Sequence, residues 1–115
     1  MNNHFRIGVL GSGKGSNFVA IADAVAAGKL PAEIAIVLSD VETAGILAHA
    51  RERNIHSQFV PPGKFRTKLD DESELAFVNA LTSAKVDLIV LAGFMRVLKG
   101  SFLRAFEGRI VNIHP

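Results

Sequence analysis

Phe5-Arg-Ile-Gly-Val-Leu-Gly-Ser-Gly-Lys-Gly-Ser-Asn17 is the stretch that decides the fold. Phe5 to Leu10 is a short apolar run closed by glycines, as expected of a strand buried on both faces of a parallel sheet. Behind the Gly11 to Gly15 turn, Phe18, Ile21, Ala22 and Val25 recur at helical spacing, with Ser16 or Asn17 placed to cap the helix and Gly28 to end it. Strand, glycine turn and helix in that order form the opening unit of a doubly wound α/β sheet.

The same alternation continues outward from this unit. Ile34 to Leu38 reads as a second strand ending at Ser39 and Asp40, and Thr43 to Arg53 as a helix with Ile46, Leu47 and Ala50 on one face. His56 to Val60 is a third strand, after which Pro61, Pro62 and Gly63 force a loop, because proline fixes φ and removes a donor. Asp71 with Glu74 three residues later resembles a capping box, and Leu75, Val78 and Leu81 make the stripe of a helix reaching about Ala84. Val86 to Ala92 is apolar without alternation, as at the centre of a sheet covered on both faces. Leu98 to Phe106 reads as a short helix and Arg109 to Ile113 as a fifth strand. The pattern predicts right-handed crossovers and a mainly parallel, Rossmann-like sheet in one domain spanning residues 1–115.

Composition removes several classes of function. At 115 residues and 49% hydrophobic content the chain suits one core of modest thickness. The longest apolar stretch, Leu88 to Met95, falls far short of the roughly 18 to 20 residues that cross a bilayer. The first residues lack the long apolar core of a secretory signal, so a cytoplasmic location is expected. There is no cysteine, which excludes disulfides, thiolate catalysis and cysteine-ligated zinc. His4, His49 and His56 show no spacing of a metal site and read as surface or packing residues. The net charge is only +2, and the basic group Lys64, Arg66 and Lys68 is followed at once by Asp70, Asp71, Glu72 and Glu74. No nucleic-acid stripe is expected from that arrangement.

The turn itself carries three glycines, two serines and a lysine in seven residues, where backbone N–H groups and a helix N-terminus favour an anion. An ordinary strand-to-helix turn is the plain alternative. Gly8 to Lys14 matches the start of a P-loop, but Gly15 stands where the magnesium-binding hydroxyl belongs. The dinucleotide fingerprint fails at its third glycine, where Ser16 stands, although Asp40 is placed to meet a ribose hydroxyl. An NAD(P)-binding module, or a non-catalytic nucleotide-binding domain, is the runner-up.

Ligands of open parallel sheets sit at the carboxyl ends of the strands where the order reverses. Three loops gather there: the glycine turn, Gly93-Phe94-Met95-Arg96 and the terminal Asn112-Ile-His-Pro115. Residues two apart on a strand share a face, so Asn112 and His114 point together while Ile113 points away. An amide donor suits an oxyanion and a neutral imidazole suits proton relay, the two needs of acyl transfer. A capping Asn and a surface His, with Phe94 to Leu98 as core, are the plain alternatives.

Gly11-Ser-Gly-Lys-Gly-Ser-Asn17, Leu91-Ala-Gly-Phe-Met-Arg96 and Asn112-Ile-His-Pro115 together resemble, in order and spacing, the phosphoribosylglycinamide formyltransferase family. Relatives that formylate initiator methionyl-tRNA or hydrolyse formyltetrahydrofolate are similar around Asn-x-His, while the glycine turn and the Pro after His favour the purine enzyme. The resemblance implies formyl transfer from 10-formyltetrahydrofolate, as co-substrate and without metal, to the amine of 5-phosphoribosylglycinamide. By position it implies that Gly15, Ser16 and Asn17 hold the ribonucleotide and that Met95, Arg96, Val97 and Leu98 wall the folate pterin. It further implies that Asn112 binds the formyl oxygen, that His114 donates the proton, and that Lys68, or Arg66, meets the folate carboxylate. Lys14 stands where several members carry Asn. The family continues past this segment with a Ser-Leu-Leu-Pro stretch and a catalytic Asp, so an N-terminal portion is expected, with self-association through an uncovered last strand.

Overall fold

The structure, a computed structural model, describes residues 5–113; His4, His114 and Pro115 lie outside them. In chain order the elements are β1 (Phe5–Leu10), α1 (Ser16–Ala26), β2 (Ala32–Ser39), α2 (Gly45–Glu52), β3 (Ser57–Phe59), α3 (Asp71–Ser83), β4 (Leu88–Ala92), α4 (Gly100–Ala105) and β5 (Ile110–Ile113). The strands form one sheet in the order β3-β2-β1-β4-β5, every pairing parallel. The chain winds outward from β1 to β3, returns to β4 on the other side of β1, and ends on β5. The reversal point therefore falls between β1 and β4, as expected of a doubly wound sheet.

The sheet separates two cores. On β1, Ile7 and Val9 join Phe18, Ala22, Ile46, Leu47 and Ala50 on the side of α1 and α2. Leu10 joins Phe77, Leu81, Phe102 and Phe106 on the side of α3 and α4. Strict alternation would place Ile34 and Ile36 of β2 on one face, yet Ile34 belongs to the first core and Ile36 to the second. The register explains this: Ile7 pairs with Ile34 and Gly8 with Ile36, so Ala35 is an extra residue that reverses the facing of the rest of β2.

Several element ends differ from the sequence expectation for local reasons. Neither Ser16 nor Asn17 caps α1; its N-cap is Gly15, in the left-handed region at φ 86° with no side-chain cap bond. Asp70 caps α3, accepting from the Ser73 N–H at 2.8 Å, one residue before the expected Asp71. Glu74 does not reach back; it is buried and accepts from the Lys99 N–H at 2.8 Å and from the Ser101 hydroxyl, so that α3 is tied to the start of the distant α4. Leu75 is 58% exposed, and the α3 stripe is made instead by Phe77 and Leu81 with Val78 beside them. The short β3 is prolonged by ladder bonds at both ends, Val37 N–H to His56 O and Val60 N–H to Ser39 O, each 2.9 Å.

Candidate functional site

At the carboxyl end of β1 the chain is held from both neighbouring strands. Gly11 N–H donates to Leu38 O at 3.1 Å and Ser12 N–H donates to Gly93 O at 3.1 Å. The turn also rests on the start of α2, where Ile46 N–H donates to Gly13 O at 3.0 Å. A side chain at Gly15 would place its Cβ 2.8 Å from the Ile46 Cα. Gly13 has open space instead, with nothing within 4 Å of such an atom. Ser16 and Lys14 are exposed and Asn17 is half-buried. The first turn of α1 carries no acid and no side-chain cap, and a helix end of that kind favours an anion.

The loop after β4 stands beside this turn. Phe94 turns inward onto Phe77, ring centroids 5.6 Å apart in an edge-to-face arrangement. Met95 and Val97 turn outward, 75% and 62% exposed, while Leu98 packs against the second core. The Val97 N–H donates to Thr67 O at 2.8 Å, and Lys68 and Val97 form an isolated parallel bridge. Lys68 is thus placed directly alongside the apolar wall, with its ammonium 4.6 Å from the Phe65 ring centroid. Arg66 is exposed on the same segment. A cavity of about 460 Å³ opens there between Lys64, Phe65 and Lys68 on one side and Asp70, Asp71 and Lys99 on the other.

Ionisation in that cavity follows its contacts. The Ser73 backbone N–H, with the Ser73 side chain next, holds the Asp70 carboxyl below its ordinary value. The Lys99 ammonium, bonded to Asp71 at 2.5 Å, lowers the Asp71 carboxyl and is itself raised.

What joins the glycine turn to the apolar wall is a set of residues that the sequence does not single out together. Asp40, at the end of β2, is buried; its Oδ1 accepts from the Ser12 hydroxyl at 2.6 Å and its Oδ2 from Arg96 Nε–H at 2.9 Å. Ser12 Oγ accepts from the Met95 N–H at 2.9 Å, and Arg96 Nη1 donates to the Phe65 carbonyl. Both Asp40 oxygens are therefore committed inside the protein, which removes the ribose partner on which a dinucleotide reading rests. The available signal is two opposite charges, Asp40 directly behind β2 and Arg96 four residues past β4; their separation by 56 positions hides the pairing.

Asn112 is in register with Leu91, and Ile113 with Ala92. By alternation Asn112 shares the face of Ile110, which packs against the second core, as do Leu91, Phe94 and Leu98. Ile113 belongs to the first core, so it points away from Asn112 as expected. Asn112 is exposed at the carboxyl edge, on the side of the Met95–Leu98 wall. His114, the expected partner two residues on, lies outside the described residues. At the opposite edge of the sheet a cavity of about 590 Å³ is lined by Arg6, Asp23, Glu33 and Arg53. Its charges pair with one another, Arg6 with Glu33 at 2.7 Å and Arg53 with Asp23 at 3.9 Å. His49 is half-buried with Nδ1 3.5 Å from Glu52, and His56 is exposed.

Among the described residues no helix is long and apolar enough to cross a membrane. The family model for formyl transferases matches residues 5–115. The chain is 41% identical over 110 residues to the phosphoribosylglycinamide formyltransferase of Haemophilus influenzae, covering 96% of this chain and 51% of that protein. Its fold matches the crystal structure of phosphoribosylglycinamide formyltransferase from Brucella melitensis with a TM-score of 0.89 at 42% identity, over 98% of this chain and 58% of that one. The match to glycinamide ribonucleotide transformylase 1 from Symbiobacterium toebii has a TM-score of 0.90 at 37% identity, over 100% of this chain and 53% of that one. The chain spans about half the length of these three relatives. With its glycine turn, apolar wall and terminal Asn gathered at one edge of that shared sheet, the chain belongs to the formyl transferase family.

Proposed function

We propose that this chain carries the substrate-gathering half of a phosphoribosylglycinamide formyltransferase of de novo purine (IMP) synthesis, moving a formyl group from 10-formyltetrahydrofolate to the amine of 5-phosphoribosylglycinamide. The observation that carries the reading is the junction at the β1/β4 reversal. There the glycine turn, whose Gly15, Ser16 and Asn17 open α1 without a side-chain cap, is tied at Ser12 to a loop that exposes Met95 and Val97, with Asn112 on the next strand. An anion and a flat apolar ring are the two ligands such neighbours suit.

In the reaction the glycinamide nitrogen attacks the formyl carbon and the carbonyl oxygen takes up the electron pair. The Asn112 amide N–H donates to that oxyanion. Collapse of the tetrahedral centre breaks the bond to N10 of the folate, and His114 relays to that nitrogen the proton that the attacking amine gives up. Asn112 thus acts on charge that exists only at the tetrahedral stage. The backbone bridge between Lys68 and Val97 supports Lys68 over Arg66 as the partner of the folate carboxylate.

Calorimetric titration with a 10-formyltetrahydrofolate analogue, phosphoribosylglycinamide and NAD tests the reading. Binding of the first two and not of NAD is expected. Binding of NAD with no folate binding would overturn it in favour of a dinucleotide module.

A further inference from the structure

The Asp40 side chain is 2% exposed, yet neither of its oxygens serves its own strand. One accepts from Ser12 in the glycine turn at 2.6 Å and the other from Arg96 in the loop after β4 at 2.9 Å. Ser12 Oγ passes the hold on to the Met95 N–H at 2.9 Å, and Arg96 passes it on to the Phe65 carbonyl. A single carboxylate thereby fixes three segments that meet only at this edge of the sheet. Carboxylate–guanidinium contacts are charge-assisted and directional. At this depth each charge depends on the other, because a buried charge left alone is strongly unfavourable.

The loop so held carries an apolar arrangement that would not persist without anchors. Met95 and Val97 are 75% and 62% exposed, although apolar side chains on a free loop gain by turning inward. The Met95 N–H is tied to Ser12, the Arg96 side chain to Asp40 and the Val97 N–H to Thr67. Three successive residues are thus pinned from behind, and only the two apolar side chains face out. The Arg96 side chain is 17% exposed, with Nε on Asp40 and Nη1 on the Phe65 carbonyl, so its charge is already paired within the protein.

We propose that Asp40 is a positioning residue for the apolar wall, acting through Arg96 and Ser12, and that Arg96 contributes to ligand binding through the shape of its loop and not through its charge. The identity of the ligand rests on the folate reading above; the anchor itself does not.

Two readouts separate these levels. Hydrogen exchange at the Met95 and Val97 amides reports the anchor with no ligand present, and titration with a stable 10-formyltetrahydrofolate analogue reports its use. In Asp40→Ala, at a temperature where the chain stays folded, both amides exchange about tenfold faster and affinity for the analogue falls about tenfold. Inorganic phosphate, a probe of the glycine turn, changes by no more than about threefold, since Gly13 and Gly15 keep their own contacts to α2. Arg96→Ala gives the same pattern and serves if Asp40→Ala does not fold. Because Arg96 keeps its charge in Asp40→Ala, a loss of analogue binding there comes from the loop and not from the cation. Unchanged amide exchange in a folded Asp40→Ala chain would overturn the proposal. So would parallel loss of analogue and phosphate. If the unaltered chain binds no folate analogue, the functional reading falls, while amide exchange still decides whether Asp40 anchors the loop.

Discussion

Gly15 and Ile46 stand in backbone contact: a Cβ built on Gly15 would lie 2.8 Å from the Ile46 Cα, and Gly15 holds φ at +86°. The glycine turn is therefore two things at once. At Gly15 it is a packing joint between α1 and α2, and at Gly13 it is open to the solvent side.

The two positions should separate in experiment. A β-branched residue at Gly15 meets strain of about 1–3 kcal/mol from the left-handed backbone alone, before the clash with Ile46 is added. Gly15→Val is expected to lower the melting temperature sharply and to weaken every ligand together. Gly13→Ala is expected to leave stability within about 0.5 kcal/mol and to weaken phosphate binding alone, because the added methyl stands where an anion would approach the N–H groups. Thermal unfolding and phosphate titration on both variants check this; a stable Gly15→Val chain would show the joint to be dispensable.

Glu74 links α3 to α4 through Lys99 N–H and the Ser101 hydroxyl. Deleting its carboxylate leaves a buried donor unpaired, which typically costs about 1–3 kcal/mol. Glu74→Ala is expected to lose stability in that range and to raise hydrogen exchange across Gly100–Ala105. Glu74→Gln keeps an acceptor for one of the two donors and is expected to lose less. Equal unfolding midpoints for the two variants in urea would count against the link.

The folded pKa of Asp70 lies below its ordinary value of 3.8 because the Ser73 N–H bonds the ionised form. A depressed folded value means that the contribution is present above the unfolded pKa and is lost as pH falls through the folded one. Asp71 follows the same sign through Lys99. Stability is therefore expected to decline on acidification through and below 3.8. Asp70→Asn, which still offers a capping oxygen, is expected to flatten that decline while changing stability little at neutral pH. Urea unfolding of both chains over the acid range measures it; identical pH profiles would remove Asp70 from the account.

The legible and illegible parts of this chain divide by the range of the interaction. Phe18, Ala22, Ile46 and Leu47 announce their helices because amphipathic periodicity is local, and each ends up in the first core. Alternation and the handedness of crossovers predict a parallel doubly wound sheet, and the folded order puts its reversal between β1 and β4. Asp71 and Glu74 mimic a capping box by spacing alone, whereas Asp70 caps α3 and Glu74 is used 25 positions away. Ala35 reverses the facing of β2 through a register shift against β1, which no pattern within β2 reveals. In the site, Met95, Val97 and Asn112 belong to short motifs, each contiguous in sequence and each exposed in the fold. The Ser12–Asp40–Arg96 hold spans three segments and is visible only once they are folded together.

Asn112 carries the strongest functional expectation. It sits at the end of β5, in register with Leu91 and exposed on the side of the Met95–Leu98 loop, and it has no part in either buried core. Its removal should therefore leave the fold nearly unchanged, within about 0.5 kcal/mol. Its proposed work is confined to the tetrahedral stage, where loss of one oxyanion donor typically costs a hundredfold or more in rate, about 2.7–4 kcal/mol. Asn112→Ala, carried in a chain extended to the length of its relatives, is expected to lose about that much in kcat while KM for the ribonucleotide changes little. Asn112→Asp, which replaces the donor by an acceptor of the same shape, is expected to be as inactive, because a carboxylate repels the oxyanion that the amide would stabilise. Single-turnover formyl transfer and ribonucleotide titration on both variants separate the outcomes. A rate within about threefold of the unaltered enzyme for either variant would show that the oxyanion is stabilised by another group.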